Sequence, residues 1–264
     1  INGNKATDSI HFNEAVQWLN LSRETVLISD KNVLEEISRT GSFLTKKQYS
    51  QLEAALFLTQ LSGEKAPNDR LIRYGRQFMD EHKPDLADKD IRYIILNLLR
   101  QLRVPFRNSD SIYAGIEYYN SLNKEFLAKN DSDVVTICYN VLGGIYNRLG
   151  LIDNARYSML KSLDYLNDNE FQSGPGRIES VLGRSGKVNR NSVLGSFEIE
   201  AGKPAAAYKY LREGINNFQQ LKHQLQFGDG PFMFMQMAIC QSELPNDSSL
   251  YYFDKTYQMM GLFG

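Results

Sequence analysis

The residues of this sequence with the types to do chemistry are three histidines, two cysteines, a pair of carboxylates and a glycine-rich stretch. Their spacing is the first test. His11, His82 and His223 lie far apart, and no His/Cys spacing has the form of a zinc site. His82, in "DEHKPD", reads as an exposed residue at a helix end. Cys138 and Cys240 each stand inside an apolar helical pattern, which predicts two buried small hydrophobes and neither a nucleophile nor a disulfide framework. Glu35 and Glu36 are adjacent, so on a helix they point to different sides and do not form an acid/base pair. "SGPGRIESVLGRSGKV" invites comparison with a phosphate loop, which needs glycine at both ends of a four-residue spacer, then Lys and Ser or Thr. Val181 occupies the first glycine position and Val188 follows Lys187, so the stretch reads instead as an insertion between helices. No catalytic residue, metal or cofactor is expected.

The elements that position these residues read as helices throughout. "IRYIILNLLRQL" carries Ile91, Ile94, Ile95, Leu98, Leu99 and Leu102, and "IYAGIEYYNSLNKEFL" carries Ile112, Ile116, Tyr119, Leu122 and Phe126. Spacings of three and four are the mark of one buried helix face. Pro67, Pro84, Pro105 and Pro245 fall where helices are expected to stop, because proline lacks an amide donor and clashes with the preceding turn. Alternating strand patterns closed by Asn-Gly or Asp-Gly are missing, so the expected class is all-α. The 264 residues carry 30 Lys+Arg against 31 Asp+Glu, a net charge of −1 that offers no field for nucleic acid. No apolar run approaches the roughly 20 residues of a membrane span, so no membrane insertion is expected.

"NVLGGIYNRLGLIDNARYSMLKSL", from Asn140 to Leu163, has the form of a helical hairpin. Gly150 breaks the first helix, Asp153 suits the positive end of the second, and Gly143 and Ala155 are small where the helices approach. Leu142-Gly143, Tyr146, Gly150, Ala155 and then Ser162-Leu163 resemble the tetratricopeptide repeat, a helix-turn-helix unit of about 34 residues. A second copy places Leu194-Gly195, Gly202 and Ala207 alike, then Leu211, Gly214 and Ile215, with Glu198 where the aromatic belongs and Pro204 opening the second helix. The turn glycines are 52 residues apart, so an insertion is expected around 167–190. A weaker third copy has Ala238 at the first small position, Pro245 at the turn and "SSLYYFDKTYQMMGLF" as its second helix. The expected layout is one array over 1–264: N-terminal helices or a cap over 1–46, degenerate hairpins over 47–130 and clearer repeats over 131–264.

The resemblance implies a right-handed superhelical solenoid whose first helices line a concave, peptide-binding face. By the family's pattern, Ile137, Asn140, Gly144, Asn147 and Arg148 look inward from one copy, and Asn189, Ser192, Ser196, Ile199 and Glu200 from the next. Asn140, Asn147 and Asn189 are then expected to bond a peptide backbone, and Arg148 an acidic group. The implied function is a non-enzymatic protein- or peptide-binding scaffold, of the kind that forms the sensory portion of bacterial regulators inside or outside the cytoplasm. The alternative is an assembly protein that self-associates through its C-terminal helices. "PFMFMQMAIC" is read as a mostly buried helix or an adaptable binding surface. Tyr251, Tyr252, Phe253, Tyr257, Met259, Met260, Leu262 and Phe263 are too many large apolar residues for one solvated helix, so a covering segment or a second copy is expected. Ile1 in place of Met leads to the expectation of a trimmed start, and the apolar close to that of further chain after the end or of residues that cap the last core.

Overall fold

The computed structural model describes residue 45 and residues 68–107, 110–167, 182–221, 229–245 and 248–263. Among these residues the regular elements are helices and no strand occurs, so this part of the chain is all-α. His11, His223, Glu35, Glu36, Pro67 and the proposed cap over 1–44 and 46 lie outside the described residues, as does 168–181 of the expected insertion. The chain divides into two compact units, 1–117 with 173–178, and 118–172 with 179–264.

In the first unit, α1 (Asn68–His82), a 3-10 turn (Lys83–Ala87), α2 (Lys89–Gln101) and α3 (Arg103–Arg107) bury Phe78, Met79, Leu86, Ile95, Leu98, Leu99 and Phe106. His82 corrects the sequence reading: it is buried, not exposed. Its ring lies 4.3 Å from that of Phe78, one turn earlier, and Nδ1 lies 2.9 Å from Asp85 Oδ2 in the following 3-10 turn. A hydrogen-bonded imidazole can be packed where a bare polar ring would not be. Pro105 is also not at a stop. The break is at Leu102, and Pro105 sits in the first turn of α3, where no amide donor is needed.

The chain enters the second unit along α4 (Ile112–Ala128) and continues as three hairpins. These are α5 (Ser132–Arg148) with α6 (Ile152–Asp164), α7 (Gly183–Glu200) with α8 (Pro204–Gln219), and α9 (Asp229–Ser242) with α10 (Ser249–Phe263). The same turn closes α4, α5 and α7. Asn130, Gly150 and Gly202 have φ of 55°, 72° and 66°, the left-handed region that asparagine and glycine tolerate. Each lets the next amide reach back five residues: Asp131 N–H to the Phe126 carbonyl at 3.0 Å, Leu151 to Tyr146 at 2.9 Å, and Lys203 to Glu198 at 2.8 Å. This closes the helix end on its own carbonyls. Asp131 then caps α5 by accepting from Val134 N–H at 3.2 Å, and Pro204 opens α8.

Because the turns are equal, the helices meet in the same register. A Cβ on Gly143 would lie 2.7 Å from Met159 Cε; one on Gly195 would lie 2.5 Å from Leu211 Cδ2 and 2.7 Å from its Cγ. Both partners stand sixteen residues after their glycine. Ala155 and Ala207, also fully buried, complete each contact. The extra length between these hairpins lies after Asp164 and before Gly183, and lengthens neither helix much. Ser185, Gly186 and Lys187 of the glycine-rich stretch are helical, in the first turns of α7, and Val188 is buried in the core with Leu211, Ile215, Met233 and Met237.

The two glycines are expected to respond differently to alanine. Each change gains about 1 kcal/mol of helix propensity. Met159 can swing its terminal methyl away, whereas Leu211 is met near its branch point, and overpacking there costs about 1–3 kcal/mol. Gly195→Ala should therefore lower the urea midpoint, while Gly143→Ala leaves it nearly unchanged and Gly143→Leu lowers it. Equal midpoints for the two alanine variants would show that the contacts are not as tight as described.

Candidate functional site

The candidate site is drawn from exposed and half-buried residues of α5, α7 and α9. On α5, Asn147 and Arg148 are exposed in the last turn and Gly144, one turn earlier, is half-buried. Asn140 lies on the same side but is buried, with Nδ2 3.8 Å from Met159 Sδ, so its amide points into the hairpin. Ile137 is fully buried. The two exposed side chains pair an amide, which donates and accepts, with a guanidinium that is charged at any physiological pH.

Asn189 sits on α7, half-buried, and its Oδ1 accepts from Arg190 Nη1 at 3.2 Å. The structure does not place it beside Asn147; α6 stands between α5 and α7 in the hydrogen-bond order. Ser162 Oγ on α6 donates to the Thr136 carbonyl of α5 at 2.9 Å and accepts from Arg190 Nε of α7 at 2.9 Å. Arg190 is fully buried, and this chain of bonds gives part of its charge a partner inside the protein. Glu198, at the position where the repeat pattern has an aromatic, is buried and accepts from Arg156 Nε of α6 at 2.7 Å. An ion pair thus fills the place of a ring and ties one hairpin to the next.

Ser192 and Ser196 do not face outward as bare hydroxyls. Ser192 Oγ donates to Gln236 Oε1 of α9 at 2.9 Å, and Gln236 Nε2 donates to Ser196 Oγ. This polar ladder locks the first helices of successive hairpins side by side. On α9 the buried positions include Met233, Phe234, Gln236, Met237, Ala238, Cys240 and Gln241. Phe232 and Ile239 are left 49% and 38% exposed, with Met235 half-buried between them. These three form one stripe, spaced three and four, directly beside the Gln236 ladder. The sequence reading of this helix as mostly buried or an adaptable surface rests on its phenylalanines and methionines. It missed Gln236, the single amide in the apolar run, which marks the side turned toward α7.

The titrating groups with displaced equilibria are moved away from neutrality. Burial pushes the thiols of Cys138 and Cys240 up, and Cys240 Sγ donates to the Pro204 carbonyl at 2.9 Å. Burial, then the neighbouring Tyr157 and Tyr165, raises Tyr139, whose ring stacks on Tyr165. Groups raised in this way are poor nucleophiles and bases near pH 7. Among the described residues no three His, Cys, Asp or Glu side chains are grouped to hold a metal ion, and no helix is long and apolar enough to cross a membrane. Comparison with protein-family models, curated proteins and solved structures finds no match.

The ion pair between hairpins should be asymmetric. Arg156 keeps Asp153 Oδ1 at 2.9 Å when Glu198 is removed, and its side chain is 23% exposed; Glu198 is 8% exposed. Arg156→Met, which strands a buried carboxylate, is expected to cost about 3–5 kcal/mol, and Glu198→Met about 1–2 kcal/mol. Chemical denaturation of both variants reads the difference. Equal losses would mean that the carboxylate reaches water.

Proposed function

We propose that the second unit is a non-enzymatic, peptide-binding module of the tetratricopeptide kind, in which α5, α7 and α9 are the first helices of successive hairpins and turn one face to an extended ligand. The observation that carries this reading is the stripe of Phe232, Met235 and Ile239. It is apolar and open to solvent on a helix whose other sides are packed, and a hydrogen-bonded ladder to α7 holds it in place. A stripe of this kind offers shallow sites for two apolar side chains of a ligand. Recognition modules of this type use a rigid scaffold to hold a few anchor positions.

Asn147 and Arg148 supply the polar end, holding a backbone amide and a carboxylate of the ligand. Asn189 contributes from α7, where its carbonyl oxygen is oriented by Arg190. The repeated turn at Gly150 and Gly202, and the repeated glycine contact sixteen residues before Met159 and Leu211, support the repeat reading. In such an array each hairpin adds one unit of face, and specificity is set by which positions of that face are apolar, polar or charged.

The test is selection from a displayed random peptide library on the whole chain. Enriched peptides are expected to share apolar residues and an acidic residue or free C-terminal carboxylate. Phe232→Ala and Arg148→Ala should each weaken the best peptide about tenfold, the loss of one anchor contact. Enrichment that both variants leave unchanged, or no enrichment at all, would overturn the reading.

A further inference from the structure

The last helix, α10, carries two stripes of equal spacing and its own hairpin uses one. Ser249, Tyr252, Thr256 and Met259, spaced three, four and three, turn inward: Ser249 and Thr256 are buried, while Tyr252 and Met259 pack on the core, with the Tyr252 ring 6.3 Å from that of Phe234. One residue further on, the same spacing recurs in Leu250, Phe253, Tyr257 and Met260. These four are 81%, 45%, 79% and 61% exposed. Three-four-three is the spacing with which one helix seats its side chains between those of another. With large apolar side chains worth about 150–250 Å² each, the four leave on the order of 500 Å² uncovered, toward the upper end of the patch a monomer exposes and toward the roughly 600 Å² per partner at which stable complexes begin.

We infer that this outer stripe is a homodimer interface, in which α10 packs antiparallel on α10 of a second copy about a two-fold axis. A two-fold contact requires that residue i meet j while j meets i. Centred on residue 255, an antiparallel pair sets Leu250 against Met260 of the partner and Phe253 against Tyr257 of the partner, so every layer joins two large apolar side chains. Gly261, where a Cβ would meet nothing within 4 Å, leaves room at the edge of the seam.

Charge also fits a second copy. The charged residues of α10 are one acid and one base, so like copies do not repel through it and nothing selects a partner of opposite charge. Gln258 Nε2 donates to Asp254 Oδ2 at 2.6 Å, and Lys255 Nζ donates to Gln258 Oε1 at 3.3 Å while lying 5.7 Å from the centre of the Tyr251 ring. Both charges are thus satisfied on the flank of the helix and need not be stripped of water when the apolar stripe is covered. The inference does not rest on the peptide-binding reading, since the stripe is on the second helix of its hairpin and the peptide face is on the first helices.

Sedimentation of the whole chain tests it from about 1 µM to several hundred µM, a range that reaches the weak end for interfaces of this size. The mass should rise from that of the 30.2 kDa chain toward twice that value. Tyr257→Asp, which places a charge at the centre of the seam, should weaken the association about a hundredfold with an unchanged helical circular dichroism spectrum. The double variant Leu250→Cys, Met260→Cys should form a disulfide-linked dimer on mild oxidation, and either single variant should not. A chain that stays monomeric throughout overturns the inference, whether the stripe then binds another protein or nothing. So does a dimer indifferent to Tyr257→Asp, or one that Leu250→Cys alone cross-links.

Discussion

The left-handed glycine after the first helix of the α5–α6 and α7–α8 hairpins is the constraint on which the rest of their packing depends. With φ of 72° at Gly150 and 66° at Gly202, the backbone reverses within three residues and the helix end spends its carbonyls on the amides of the turn. An L side chain is strained there. The short turn fixes the phase of the second helix, and so brings residue sixteen after the packing glycine onto it. Met159 and Leu211 then lie against bare backbone, which a Cβ on either glycine would displace. Two glycines seven residues apart therefore act together: one sets the angle at which the chain returns, and the other lets it return closely. The α9–α10 turn is longer, from 243 to 248, and no glycine stands at the matching place in α9, where Ala238 is buried.

Between hairpins the bonding changes character. Inside a hairpin the close approach is a glycine backbone against an apolar side chain, with Ser162 on the Thr136 carbonyl as a polar addition in the first. From one hairpin to the next it is strongly polar: Arg156 with Glu198, Arg190 with Ser162, and Gln236 with Ser192 and Ser196. Each of these groups is costly to bury alone and inexpensive to bury with its partner. They therefore reward one alignment of neighbouring hairpins over others that would bury the same apolar area. The apolar core of Val188, Leu211, Ile215, Phe218, Met233 and Met237 supplies the bulk of the attraction, and the polar pairs give it a register.

What was legible in the sequence is what local chemistry dictates. Gly150 and Gly202 announce their turns because the backbone there is left-handed, and Pro204 suits a first helical turn that needs no amide donor. Buried Cys138 and Cys240 follow from the apolar residues around them. What was not legible depends on partners far along the chain. Glu198 looked like a departure from the repeat until Arg156, 42 residues earlier, was seen to hold it. Ser192 and Ser196 looked like open positions, yet Gln236 lies 44 and 40 residues away and occupies both. Asn140 shares a face with Asn147, but the flexible sulfur of Met159 draws it inward. His82 is the instructive exception: Phe78 and Asp85 are its near neighbours, and a ring four residues before with a carboxylate three after was signal enough to expect burial.

The hairpins divide their surfaces in a way that bears on how the unit meets other molecules. α7 and α9 are each flanked by three helices, so what α9 presents is a narrow stripe, Phe232, Met235 and Ile239. Second helices are flanked on fewer sides, and in the interior of the unit α8 is covered by α7 and α9. α10 packs on α9 along one stripe, and its other apolar stripe has no helical neighbour among the described residues. Leu250 and Tyr257 are more exposed than any other large apolar residue described in this chain. A solvated terminal helix needs only one apolar stripe and can fill its other face with charge. That α10 repeats its inward spacing on the outward side, one residue later, means its sequence is patterned for two helical neighbours, and its own hairpin provides one.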